Sequence, residues 1–395
     1  MSRNLAGILQ HMVGLSPTWR EVEPGPWRWL EGSSDRLTLE TVGWKAGPWQ
    51  HPVSIFEHPD PVATDTCVLE LTGDDMGPRD DVVSMQIGQA ARLPVATLFK
   101  VPNQPLFDLR EDALLAYSFV QALQTGDRTW PCLLPMVRSA LAAMTALTDW
   151  SEGRWTKFVV TGASKRGWTT WLAAATGDPR IVAVAPRMFD NLRSIDQMRK
   201  QVADWNGRSP MQDDYTSLGL QDMASGGGPA AELAAWLDPA TFLSGVQVPV
   251  LTVSGTNDPF WCVDASSVYA PTLPQTAALC CCPDVGHAGG MPPFARGAFA
   301  ALSAGVPWGS ERPQWDGESW ELAPKSRAFG CRLWTSHAED RKFETARWSV
   351  QNGEHRPERR SDCHTATFLE VLMPGDVVVG PYSLTSHVEV LPPVS

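Results

Sequence analysis

The segment Phe158-Val-Val-Thr-Gly-Ala-Ser-Lys-Arg-Gly-Trp168 constrains this chain more than any other. An apolar, β-type run ends in Gly162-Ala163-Ser164 and passes without a gap into a helix-like stretch. A strand that turns so sharply into a helix strains its turn residue, exposes that side chain above the sheet edge and aims a helix N-terminus at any negative charge developing there. Small residues must flank the turn, and Gly162, Ala163 and Gly167 supply them. The usual spacing is G-x-S-x-G; here the second glycine comes one place late and Arg166 stands where it is expected. A G-x-S triplet alone is more often an ordinary corner, so the weight of Ser164 as a nucleophile rests on partner residues farther along the chain.

Downstream, Val248-Pro-Val-Leu-Thr-Val-Ser-Gly-Thr-Asn-Asp258 reads as a buried strand with a carboxylate at its C-terminal end. A further strand-like run, Thr276 to Cys282, leads to Pro283-Asp-Val-Gly-His287. The order Ser164, Asp258, His287 is that of the nucleophile, acid and base of an α/β-hydrolase, where all three stand at strand C-termini and converge. Alone, Asp258 reads better as a turn residue and His287 as a loop histidine bonded to a carbonyl. Together, at strand ends and in the right order, they favour catalysis. Asp264 and Asp284 are nearby alternatives to Asp258, but neither ends such a strand.

A chain of 395 residues with 43% hydrophobic content is ample for a large core. The net charge of −12 and the lack of a basic block argue against nucleic acid or an anionic membrane as partner. Residues 1–11 carry too short an apolar run for a signal peptide, and no run of 18 apolar residues occurs, so the expectation is a cytoplasmic protein. Eight cysteines lack metal-ligand spacing and read as reduced, buried thiols. No metal site or cofactor is expected, and the pattern says nothing of oligomeric state.

Short strands at Arg36–Trp44 and Pro52–Phe56 give the sheet an antiparallel start, and Cys67–Leu71 leads to the loop Thr72-Gly-Asp-Asp. In this fold one oxyanion-hole N–H comes from that loop and the other from the residue after the nucleophile, which makes Gly73 or Asp74, with Lys165, the candidates. Alternating helix and strand patterns then imply a mostly parallel sheet with helices on both faces. Residues 190–245 lack a buried-strand pattern and are expected to cap the site. The catalytic domain is read as residues 1–310. Residues 311–395 show short strands between polar turns and read as a small C-terminal β-sandwich-like domain. Arg166, Trp168 and Trp261 fall near the site as candidate substrate-binding residues.

The stretches Val101-Pro-Asn-Gln-Pro-Leu106, Arg110 to Tyr117, Leu134-Pro-Met-Val137, Thr161-Gly-Ala-Ser-Lys-Arg-Gly-Trp168, Gly255-Thr-Asn-Asp258 and Pro283 to His287 carry a family likeness. The chain resembles the PhoPQ-activated pathogenicity-related family, a branch of the α/β-hydrolases that is also similar to the autocrine proliferation repressor proteins. The late glycine is that family's version of the elbow. The resemblance implies Ser164 as nucleophile, Asp258 as orienting acid and His287 as base, on a fold akin to the prolyl-oligopeptidase-like hydrolases. Family members are usually exported, which this N-terminus does not suggest, and Pro-Asp-Val-Gly-His287 replaces the family's more usual Pro-Asn-x-x-His.

Three functions fit. The first is a serine esterase acting through an acyl-enzyme on a small-molecule ester. The second is an aminopeptidase-like serine peptidase, which needs carboxylates such as Asp190, Asp213 or Asp214 to hold a substrate amine. The third is a binding or signalling protein that keeps the triad without using it.

Overall fold

The computed structural model describes residues 18–22, 28–29, 32–75, 77–308, 312–323 and 326–394; the N-terminal stretch weighed above as a signal sequence lies outside them. Strands β1 (Gly32–Trp44) and β2 (Gly47–Phe56) form an antiparallel pair, with a further strand, Thr18–Val22, bordering β1. Next come β3 (Thr66–Leu71), β4 (Val95–Leu98), β5 (Lys157–Ala163), β6 (Ile181–Arg187), β7 (Val250–Gly255) and β8 (Ala277–Cys282). They stand in the order β2-β4-β3-β5-β6-β7-β8, parallel from β4 onward.

These strands are apolar on both faces because helices cover both. Leu69, Leu71, Phe158 and Val160 point to one side, beneath α2 (Glu111–Thr125), α3 (Leu133–Trp150) and α4 (Lys165–Ala175). The intervening Val68 and Val159, with Leu251 and Val253, point to the other, beneath α1 (Pro78–Ala91) and α8 (Arg296–Ser303). The period of two is the pleat itself. Between β6 and β7 the chain forms α5 (Ser194–Trp205), α6 (Leu220–Gly226) and α7 (Gly228–Leu237), with no strand among them.

The region beyond residue 310 is β-rich, as its pattern implies, and its strands continue the sheet. Its strands β9 (Gly330–Ala338), β10 (Ser349–Asn352), β11 (His364–Met373), β12 (Tyr382–Thr385) and β13 (Glu389–Leu391) are antiparallel, and β12 pairs with β8 at Leu279↔Thr385. The edge of the parallel sheet would otherwise offer unpaired N–H and C=O groups, and β12 covers it. The sheet therefore runs on through β12, β11, β9 and β10.

His51 on β2 is fully buried, its Nδ1 2.8 Å from the Phe99 carbonyl and its Nε2 2.9 Å from Ser139 Oγ on α3. A carbonyl only accepts, so Nδ1 carries the proton, while Nε2 faces the Ser139 hydroxyl, whose single proton also lies within reach of the Pro135 carbonyl at 3.0 Å. Burial lowers the imidazole pKa from 6.5 to about 4, against the pull of its backbone hydrogen bonds. Since the folded value lies below the unfolded one, the stability His51 contributes is complete above pH 6.5 and is lost as pH falls toward 4. The cost of His51→Asn, measured by chemical denaturation, is therefore expected to be largest at pH 7 and to shrink by up to roughly 3 kcal/mol by pH 4.

Candidate active site

Ser164 sits between β5 and α4 with φ 58° and ψ −126°, a region that non-glycine residues rarely occupy. Its neighbours make that conformation possible. A Cβ at Gly162 would lie 2.7 Å from Arg166 Cβ, and one at Gly167 would lie 2.5 Å from the Arg187 carbonyl and 3.0 Å from Phe189 Cβ. The glycine that seemed one place late is the residue α4 presses against β6. The Ser164 N–H donates to the Arg187 carbonyl at 2.9 Å, tying the elbow to the neighbouring strand. The Ser164 hydroxyl makes no hydrogen bond among the described residues.

Asp258 and His287 are brought together. His287 Nδ1 lies 2.7 Å from Asp258 Oδ2, and Asp258 Oδ1 accepts from the Phe260 N–H at 2.9 Å. Asp258 is buried, and its ring partner keeps partial exposure. With Nδ1 bound to a carboxylate, Nε2 is left to act on another group. Gly255 allows the two loops to approach, since a Cβ there would lie 2.3 Å from the Val285 carbonyl; the Asn257 N–H then donates to Val285 at 2.9 Å. The alternative acids are engaged elsewhere. Asp264 Oδ2 takes Lys200 at 2.7 Å and Arg341 at 2.6 Å, and Asp284 Oδ1 accepts from the Trp348 N–H at 3.2 Å.

Lys165 and Arg166 open α4, where the helix dipole opposes positive charge, and Glu111 at the start of α2 resolves the conflict. Lys165 Nζ lies 2.7 Å from Glu111 Oε2 and 3.2 Å from Asp112 Oδ2. The Arg166 guanidinium spans both Glu111 oxygens at 2.7 and 2.8 Å and reaches the Val101 carbonyl. Burial disfavours the Glu111 charge, but Arg166, and Lys165 with it, outweigh burial and hold the carboxyl well below the usual range. Arg166 lies flat over Gly73, where a Cβ would collide with its guanidinium, and it does not line the cleft below. Of the loop amides, that of Asp74 is directed at Thr72 Oγ1, 3.4 Å away. The Gly73 carbonyl accepts from Gln104 Nε2 at 3.2 Å.

A cleft of about 1120 Å³, counting space open to solvent, begins at Ser164 and Lys165. Trp168 and Trp261 line it, and α5, α6 and α7 contribute its far wall through residues such as Gln197, Leu220 and Leu233. Trp168 Nε1 donates to the Leu237 carbonyl at 2.7 Å, fixing that helix end over the elbow. Phe260 belongs both to the cleft wall and to the histidine, its ring 4.2 Å from that of His287.

No local pattern flagged several residues that support this geometry. Asn257 Nδ2 donates to the carbonyls of Phe343, Glu344 and Ala346, at 3.1, 3.2 and 2.7 Å, so the C-terminal region holds the acid loop. Arg187 is fully buried, ion-paired to Glu70 at 2.5 Å, and donates to the Gly289 carbonyl at 3.1 Å, linking β6 to the histidine loop. Asp190 is buried behind the acid loop. Burial, opposed by a hydrogen bond from Tyr269 and helped by Asp258 and Asp264, raises its pKa to about 7. Asp204, Cys262 and Asp264 bring ligand atoms within 4.8 Å of one another, as a metal site would. Lys200 and Arg341 already occupy both carboxylates, and burial pushes the Cys262 thiol up, so the cluster reads as an ion-pair latch.

The profile of the PhoPQ-activated pathogenicity-related protein family matches residues 31–356. Autocrine proliferation repressor protein A of Dictyostelium discoideum is 30% identical over 263 residues, which are 62% of this chain and 52% of that protein; the chain spans about half the length of that curated relative. Among solved structures, acetyl xylan esterase 1 from Thermoanaerobacterium sp. JW/SL YS485 superposes with a TM-score of 0.52 at 12% identity, covering 76% of this chain and 93% of that one. An acetyl xylan esterase from Paenibacillus sp. R4 gives 0.52 at 15% identity, covering 76% and 92%. The shared fold is that of the α/β-hydrolases.

The seating of α4 is open to test. Gly167→Ala sets a methyl against backbone and is expected to lower the unfolding free energy by roughly 1–3 kcal/mol. Gly289→Ala, with nothing within 4 Å of its Cβ, should stay within about 0.5 kcal/mol in the same denaturant titration.

Proposed function

The chain belongs to the PhoPQ-activated pathogenicity-related family, and from that premise we propose that it is a serine hydrolase of carboxylic esters, with Ser164 as nucleophile, His287 as base and Asp258 as orienting acid. The observation that carries this reading is the 2.7 Å Asp258–His287 pair, taken together with a serine in a strained strand-to-helix turn. Ser164 Oγ attacks the ester carbonyl while His287 Nε2 takes its proton and returns it to the leaving alcohol; water then releases the acyl group by the same path. The Lys165 N–H, unpaired at the first turn of α4, faces the oxyanion with an amide of the Gly73–Asp74 loop. The chemistry requires no metal or cofactor.

Ester hydrolysis is favoured over aminopeptidase action because, among the described residues, the cleft has no spare carboxylate for a substrate amine. Asp213 and Asp214 are exposed and do not line it, Asp190 is buried, and the lining Asp112 is taken by Lys165 and, at 2.8 Å, by Tyr215. A regulatory role without turnover remains the rival, given the name of the Dictyostelium relative.

A fluorophosphonate probe should label the wild type at Ser164, and p-nitrophenyl esters should turn over far faster than dipeptide anilides. Ser164→Ala is expected to lose on the order of 10⁴-fold or more in kcat/KM with little change in stability. Asp258→Asn should lose roughly 10³- to 10⁴-fold. Retention of a tenth of the activity in Ser164→Ala would sink the assignment. Lys165→Ala should lose far less than Ser164→Ala, because its ammonium is spent on Glu111 and Asp112 and its backbone does the work.

A further inference from the structure

Most polar groups around the cleft are already committed, although Trp261 Nε1 on its wall is buried without a hydrogen-bond partner among the described residues. Gln201 Nε2 and Gln212 Nε2 both donate to the Phe260 carbonyl, at 3.0 and 2.8 Å, and Gln197 Nε2 donates to Ala265 at 2.8 Å. Gln221 is held between Thr216 and Gln212. Withdrawing these amides to meet a substrate would give up hydrogen bonds inside a buried network. Among the described residues the one cation on the wall, Lys165, is paired with two carboxylates. Of the side-chain amides lining the cleft, only that of Asn191 is without a hydrogen bond among the described residues.

The surface left to a ligand is apolar. An aromatic wall runs from α2 to the histidine: Phe119–Trp168 at 6.1 Å, Trp168–Phe189 at 5.2 Å, Phe189–Trp261 at 6.1 Å, Trp261–Phe260 at 5.9 Å and Phe260–His287 at 4.2 Å. Leu123, Met198, Leu220 and Leu233 also line the cleft. Such a surface rewards buried methylenes and offers nothing to offset the desolvation of a charge.

We propose that this cleft is an acyl-binding site for uncharged, apolar acyl groups longer than acetyl, with Asn191 meeting a single polar atom where one is present. The proposal rests on the hydrolase reading above and goes beyond it by excluding acidic acyl groups, uronic acids included, and by setting the chain apart from enzymes that remove acetyl groups.

The experiment is a kcat/KM series on p-nitrophenyl acetate, butyrate, hexanoate and monosuccinate, with fluorophosphonate labelling of Ser164 alongside. A buried methylene contributes about fourfold, so butyrate should exceed acetate by on the order of tenfold, and hexanoate should exceed butyrate. Monosuccinate, similar in length to butyrate but anionic, should fall at least about tenfold below it. Leu233→Trp, which fills the far wall, should lower the hexanoate-to-acetate ratio. Acetate turned over as well as hexanoate, monosuccinate as well as butyrate, or an unchanged ratio in Leu233→Trp would overturn the acyl site while leaving the hydrolase standing. Absence of both labelling and ester turnover would instead remove the hydrolase reading, and the acyl site with it.

Discussion

The seat of α4 against β5 and β6 is the constraint on which the rest depends. Gly162 and Gly167 remove the two Cβ atoms that would hold the helix away, and only that closeness keeps Ser164 at φ 58°. A strained residue persists where its surroundings over-determine it. Here the determinants are the Ser164 N–H bond to Arg187, the buried Arg187–Glu70 pair behind it, and Trp168 bonded to Leu237 across the cleft. The same contacts set the distance between elbow and cap, so the strain at one residue and the shape of the cleft have one origin.

Charge follows from that geometry. Two cations at a helix N-terminus are unfavourable alone, and Glu111 and Asp112, from the first turn of α2, neutralise them. Because Glu111 spans Arg166 and touches Lys165, α2 and α4 are fixed to each other at the ends nearest Ser164. These cations serve the scaffold, and Arg166 does so by lying over Gly73 in the loop expected to supply an oxyanion donor.

Sequence reading reached the parallel sheet, the elbow and the order of Ser164, Asp258 and His287 because each depends on local signals: alternating apolar strands, small residues at one turn, polar residues at strand ends. It reached Trp168 and Trp261 by proximity to those signals. What it missed depends on partners distant in the chain. Glu111 stands 55 residues from Arg166 and Asn257 stands 89 from Ala346, and neither has a spacing that reveals its role. The C-terminal strands were legible as strands, but period-two patterning does not say which sheet a strand joins, and one pairing to β8 decides that.

That single pairing has consequences at the site. With β12 on β8, the segment around residues 341–348 reaches both active-site loops: Asn257 donates into it, its Trp348 N–H meets Asp284, and Arg341 joins Lys200 of α5 on Asp264. The α5 region, acid loop and C-terminal region are thus held by one ion-pair latch and by two glutamines on the Phe260 carbonyl. Lifting α5 would break those hydrogen bonds and the Lys200–Asp264 and Arg341–Asp204 pairs, leaving each carboxylate with one cation in place of two, a cost in a partly buried network. The same Phe260 that these glutamines hold also packs its ring 4.2 Å from that of His287, so the contacts that fix the cleft wall reach the Asp258–His287 pair as well.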